Sequence, residues 1–265
     1  MRKYYAYLRM NIQNALIYRG PMLIWIISNL VTLIMFVSLW LSSQMTGQDI
    51  GGYSKNQLVT YYVYGLLLQW TVGWFPFYWL KNEIRSGDIA GSTISKPVSL
   101  YWKTFFIELG WHVVSIWPGL LAMLIMGNIL HSYFLYSMTL IQVIEVVFAI
   151  VIAIFVTYTT SVCMALAAFW LMHIDALDGL FWASRSIIGG EAVPIALLPA
   201  GLLGIVKFLP FRYMYSFPLE LIMGKLSVNE TISGYAIGTI WIAIFVIIYK
   251  IMWSKGTKTY TSAGV

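Results

Sequence analysis

Histidines, scattered carboxylates and one Gly-Lys pair are the residues of this chain that could do chemistry. His112, His131 and His173 lie in different segments, and no two stand four residues apart. One helix face therefore cannot offer a metal two imidazoles. His173 has Asp175 as its near acidic neighbour. A membrane-embedded, lipid-modifying enzyme using His173 with Asp175 or Asp178 is thus one rival reading. A serine hydrolase needs a base beside its nucleophile, and no serine has one nearby in sequence. Gly224-Lys225 is followed by Leu226, not Ser or Thr, in an apolar segment, so it cannot form a phosphate-cradling loop. No catalytic, cofactor-binding or metal-ligating residue is expected. Any nucleotide would be hydrolysed by another chain.

The carboxylates say more through their placement. Glu83-Ile84-Arg85-Ser86-Gly87-Asp88-Ile89 sets charges of both signs beside two isoleucines, with Gly87 suited to end a helical turn. Such a segment suits a short helix offered to a cytoplasmic partner, or else a solvated loop between helices. An acid inside a membrane is costly and functional by default. Glu108 and Glu145 fall near the ends of apolar runs, where both could reach an interface. Glu191, beside Gly190 in a broken apolar stretch, is the better functional candidate, with helix capping as its alternative role.

These residues need a scaffold that lipid solvates. Of 265 residues, 60% are apolar, 17% aromatic and 10% charged. A soluble domain carries about 25% charged residues, so a soluble enzyme is excluded. Disorder is excluded as well, since it needs low hydrophobicity. The expectation is an all-α polytopic membrane protein. Residues 1–20 interleave Arg2, Lys3, Arg9 and Arg19 with tyrosines and aliphatics. That pattern predicts an amphipathic interfacial helix, with a disordered basic tail as the alternative, and no cleavable signal peptide. Spans are expected at about 21–43, 57–80, 104–127, within 138–172, at 180–198 and at 231–253, with Pro118 able to kink the third. The fourth run is longer than one span needs, so either its helix begins in the outer interface or it holds two segments. Prolines and glycines crowd residues 189–225, too densely for one straight helix. They predict a re-entrant pair of short helices, a form tolerated at membrane depth where protein or a wet cavity meets the freed amides. Gly234 and Gly238 suit close helix packing in the last span.

Charge sets the orientation. With the N-terminus inside, the inner segments hold Arg2, Lys3, Arg9, Arg19, Lys81, Arg85, Lys96, Lys103, Lys250, Lys255 and Lys258. The outer segments hold only Lys55, Lys207, Arg212 and Lys225, and Arg185 falls near the inner end of the fifth span. This asymmetry predicts six transmembrane helices with both termini cytoplasmic. The net charge of +6 is then a topology signal, and no nucleic acid partner is expected.

On these residues the chain resembles the type-two ATP-binding-cassette (ABC) permeases. The run Glu83 to Ile89, followed by Lys96-Pro97, is similar to that family's first cytoplasmic loop. Phe169-Trp170, Gly190, Pro194, Pro199, Leu209-Pro210-Phe211 with Tyr213 and Tyr215, then Pro218 and Gly224, resembles the later half of one branch. That branch is often built from two related permease subunits beside an ATPase. The resemblance implies a single permease domain over 1–265, a multi-pass subunit of an exporter in a bacterial cell membrane. It implies a second permease subunit (homo- or heterodimer), ABC ATPase subunits as partners and contact with membrane lipid. ATP and Mg would bind on the partner ATPase, with no cofactor in this chain. The loop 81–103 becomes a coupling loop, with Glu83, Ile84, Arg85, Gly87, Asp88 and Ile89 as the ATPase contact. Residues 189–225 become an outer re-entrant segment carrying Gly190, Glu191, Pro194, Pro199, Pro210, Phe211 and Pro218. An ion-coupled secondary transporter is the remaining rival. It predicts inverted repeats and midplane acids, whereas no repeat is evident here and the acids cluster near span ends.

Overall fold

The computed structural model describes residues 2–17, 19–43, 51–73, 75–133, 138–171 and 173–259. Trp74, Met172 and parts of the polar stretches at 42–56 and 128–137 lie outside the described residues. Helix α1 runs over Arg2–Ile17, α2 over Arg19–Ser43, α3 over Lys55–Val72 and α4 over Phe77–Arg85. A π-helical turn at Ala90–Ile94 leads into α5 (Leu100–Ile129), α6 (Leu140–Leu166) and α7 (Asp175–Ile187). Three short helices, α8 (Ala200–Val206), α9 (Pro210–Met214) and α10 (Ser216–Ile222), precede α11 (Val228–Thr259). Leu100–Ile129, Leu140–Phe169 and Val228–Thr259 are long and apolar enough to cross a membrane, by length and composition.

Small residues set how closely these rods approach. α1 lies along α5, α3 packs on α2 and α5, and α11 runs along α6. A Cβ on Gly110 of α5 would stand 2.8 Å from both the Leu8 carbonyl and Asn11 Cβ of α1. On α11, a Cβ at Gly238 would come within 2.6 Å of Ile152, and one at Gly234 within 2.1 Å of the Phe217 ring. The Gly234/Gly238 pair is thus a packing seam, because only a missing side chain lets the neighbours come so near.

Several boundaries differ from those expected. The second apolar run does not continue from 57 to 80 as one helix. It breaks after Val72, where Gly73 and Pro76 intervene, Pro76 lacking the N–H that a continuing helix needs. The long fourth run is one helix, not two, and Gln142 explains its start. Gln142 Oε1 accepts from the Thr139 N–H at 2.8 Å while Thr139 Oγ1 accepts from the Gln142 N–H at 3.3 Å, a reciprocal cap. Pro118 stays inside an unbroken α5. The fifth segment starts at Asp175, before the expected Leu180, and its helix stops at Ile187. At 1.5 Å per residue α7 is only about 20 Å long, short of the roughly 30 Å hydrocarbon core. Arg185 sits in the last turn of α7 and is fully buried.

The prolines beyond Ile187 explain the broken backbone. Pro194 precedes a 3-10 turn at Ile195–Leu197, Pro199 precedes α8, Pro210 opens α9 and Pro218 lies in the first turn of α10. Each stands where its preset φ starts a helix and its missing N–H has no intrahelical partner to lose. Leu198 and Leu209, each just before a proline, are extended at ψ 149, as crowding by the following ring requires.

Candidate functional site

α4, the turn at Ser86–Gly87 and the π-helical turn form an elbow between α3 and α5. Gly87 takes a φ of +89, open to glycine without a steric cost. Its N–H donates to the Ile84 carbonyl at 3.4 Å, closing α4. Ile84 and Ile89 are buried against Phe77, Leu80, Tyr158 and Leu166. Burial of side chains this size contributes about 1.5–3 kcal/mol each, so they anchor the elbow. Glu83 Oε1 accepts from Lys103 Nζ at 2.7 Å and from Ser92, and Lys103 also donates to Thr93 Oγ1 at 2.8 Å. Of the expected ATPase contact set, Arg85, Gly87 and Asp88 keep outward surface, while Ile94 and Lys96 are exposed beside them. Sequence reasoning passed over Ile94. Which isoleucine of this loop faces out depends on the π turn, and a short loop has no readable period.

The elbow is tied on both sides. Lys81, expected as a free inner-surface charge, is buried, bonded to Asp175 and 4.8 Å over the Phe77 ring. Its ammonium holds the Asp175 carboxyl below the ordinary carboxylate range. Tyr78 donates its hydroxyl to Asp178. These bonds join α4 to the start of α7. On the other side Lys3 bonds the Pro97 carbonyl, and the Ser99 N–H donates to Tyr4 Oη at 3.1 Å, fixing α1 to the exit of the elbow.

Beyond α7 the chain turns sharply at 189–192 and α3 straps that turn. Tyr61 Oη donates to the Gly190 carbonyl at 2.6 Å, Tyr62 Oη to the Ala192 carbonyl at 2.8 Å, and Gln69 Nε2 to Glu191 Oε1 at 3.0 Å. Gly190 has φ +89, and a Cβ there would lie 2.1 Å from Ser216 Oγ, so both backbone and space demand glycine. Arg185 Nε lies 3.1 Å from Glu191 Oε2. Glu191 is therefore an ion partner and a strap point, not a helix cap. The Phe211 ring lies tilted against Phe181, with centroids 6.1 Å apart, and Pro194, Pro199, Pro210 and Pro218 act as helix starters around this turn.

A groove joins the elbow to the turn. Its inner part, about 470 Å³, is lined by Tyr7, Asn11, Trp79, Glu83, Lys103, Glu108 and Trp111. The middle part, about 430 Å³, shares Trp79, Glu108 and Trp111 and adds Asn29, Gln69, Trp70, Phe75, His112 and Ser115. The last part, about 320 Å³, shares Asn29 and Gln69 and reaches Tyr62, Ser186, Glu191 and Tyr215. Glu108 is buried in the groove wall. It is 8% exposed, accepts from Trp79 Nε1 at 2.8 Å and, among the described residues, forms no ion pair. Glu83 and Glu191, at the two ends, each have a cation. Glu108 is thus a buried carboxyl held by Trp79 and, among the described residues, without a cation; its place in an apolar run is what marked it in the sequence.

The structure thus sets a polar, aromatic groove between apolar helices. A family model described as ABC-2 family transporter protein matches residues 23–264, and the chain belongs to that family. It is thus a membrane permease component of ABC transporters. Neither the curated proteins nor the solved structures gave a match.

Proposed function

We propose that this chain is one permease half of an ATP-driven exporter in the cell membrane, paired with a second permease subunit above ABC ATPase subunits. It crosses six times with both termini cytoplasmic. α7 and the broken stretch that follows together make the fifth crossing, with 189–225 re-entering from outside. ATP and Mg bind on the ATPase, and the exposed side of the elbow (Arg85, Asp88, Ile94 and Lys96) receives its movement.

One observation carries this reading: α4 belongs to the elbow and to the groove wall at once. Glu83 and Arg85 lie at its far end, and Trp79, a turn earlier, lines the groove and bonds Glu108. A rigid shift of α4 under the ATPase would therefore move a groove wall directly, in the manner of packed elements that slide between discrete arrangements. The test is co-expression with the ATPase, purification in mild detergent and reconstituted ATP-driven transport. Asp88→Arg with Ile94→Asp, both exposed, should leave the fold intact and lower transport at least about tenfold, one lost charge contact plus one apolar contact. If wild type retains no ATPase and the double variant transports normally, the proposal fails.

A further inference from the structure

A separate cavity of about 340 Å³ lies between the Gly51–Gly52 turn, Ile195–Ala196, α8, α9 and the start of α11. Lys207, Arg212, Lys225, Glu220 and Glu230 line it. Arg212 Nη2 donates to Glu220 Oε2 at 2.6 Å, with side chains 7% and 8% exposed. Yet Arg212 Nε and Glu220 Oε1 are buried with no hydrogen-bond partner. The pair leaves over one donor and one acceptor, and burial makes each costly unless something meets it. The other groups are engaged or on the rim. Glu230 accepts from Ser227 N and Oγ at 3.0 and 2.8 Å, and Lys225 Nζ donates to the Gly52 carbonyl at 2.6 Å. Lys207 is exposed, within electrostatic reach of Glu220 and Glu230.

Beside this basin, α8 turns Leu202 and Ile205 outward, and Phe208 follows, 65% exposed. Leu203 of the same helix lines the cavity. One face of α8 is therefore apolar and unpartnered, and another meets a basin carrying both signs of charge.

We propose that the basin seats the head group of a zwitterionic phospholipid, a phosphate joined to a primary ammonium, drawn from the outer leaflet. The phosphate lies toward Lys207 and the Arg212 side chain, the ammonium toward the Glu220 and Glu230 side chains, and the acyl chains follow Leu202, Ile205 and Phe208. A plain anion would face the Glu220 and Glu230 carboxylates, and a plain cation the Lys207 and Arg212 charges. A choline head group has no N–H to donate. The outer-leaflet placement rests on the topology proposed above.

Native mass spectrometry of the full chain in mild detergent, offered equal amounts of phosphatidylethanolamine, phosphatidylcholine and phosphatidylglycerol, reads the preference directly. Phosphatidylethanolamine should be retained about tenfold over the other two, and Lys207→Glu should abolish most of that margin, as the loss of one charge-assisted bond does. Equal retention of the three lipids, or a preference that Lys207→Glu leaves unchanged, overturns the site. Phosphatidylglycerol ahead of phosphatidylethanolamine makes it a plain anion site and overturns the proposal too. Displacement by an equal concentration of soluble phosphoethanolamine would overturn the lipid assignment. Topology is read separately, by labelling Lys207→Cys in intact cells with a membrane-impermeant maleimide, the one native cysteine, Cys163, being buried. Absence of labelling overturns the outer-leaflet placement whatever lipid is retained.

Discussion

Replacing Glu191 by Met removes the carboxylate that faces Arg185, a side chain with 0% exposure. Arg185 Nε, Nη1 and Nη2 find no hydrogen-bond acceptor, so Glu191 Oε2, 3.1 Å from Nε, is their main compensation. What remains is the rings of Trp182 and Tyr215, 5.2 and 6.0 Å away, each contributing on the order of 1 kcal/mol. Breaking a buried pair from one side costs about 3–5 kcal/mol, and since the rings stay, Glu191→Met should destabilise by about 3 kcal/mol. Arg185→Met should be milder, roughly 1–2 kcal/mol. Glu191 would keep Gln69 at 3.0 Å and lines a polar cavity, so its charge is less isolated. The double variant leaves no unpaired charge and should recover most of the loss, as apolar replacements of buried pairs do. At about 2–4 °C per kcal/mol for a chain of this size, Glu191→Met lowers the unfolding midpoint by about 6–12 °C. Thermal unfolding in mild detergent, followed by tryptophan fluorescence, measures it. The reasoning is refuted if Arg185→Met is as damaging as Glu191→Met, or if the double variant is no better than Glu191→Met.

Two further outcomes follow from the groove and the elbow. Glu108→Gln keeps the bond from Trp79 and removes a buried acid that, among the described residues, has no cation partner. The unfolding midpoint should hold or rise, while ATP-driven transport changes by more than about tenfold, the effect of one charged contact; wild-type transport in this variant would remove Glu108 from the pathway. The Lys81–Asp175 tie depends on pH with a definite sign. Because Lys81 lowers the Asp175 pKa from 3.8, the tie is fully present at neutral pH and is lost as pH falls through that lowered value. Midpoints of wild type and Asp175→Asn should differ at pH 7 and converge only as pH falls below 3.8, and a difference that persisted in strong acid would exclude the ion pair as its source.

Much of the site was beyond reach of the residues alone, for a reason specific to lipid. Outward residues such as Leu124, Phe148 and Ile240 are as apolar as the buried Val156 and Leu166, because lipid and protein interior solvate them alike. Helical periodicity therefore carries no record of which face meets a neighbour. Lys81 and Lys103 read as inner-surface charges by count, yet each is folded back onto an acid. The mixed-charge loop was visible, but its division into buried Ile84 and Ile89 and exposed Ile94 was not.

What the sequence determined by itself was whatever depends on composition or on one residue's own backbone. The solvent follows from a sum over residues that no arrangement alters, and the helix starts at Pro194, Pro199 and Pro210 follow from a φ that each ring sets locally. The Thr139–Gln142 cap is local in the same way. Only the tertiary structure decided what meets across the chain: Gln69 with Glu191, 122 residues apart, Tyr61 with Gly190, and the cavities that place Glu108 among tryptophans. Those meetings depend on the rotation and depth of each helix against its neighbours. That rotation is set by a few small or polar contacts in rods that are apolar on every side.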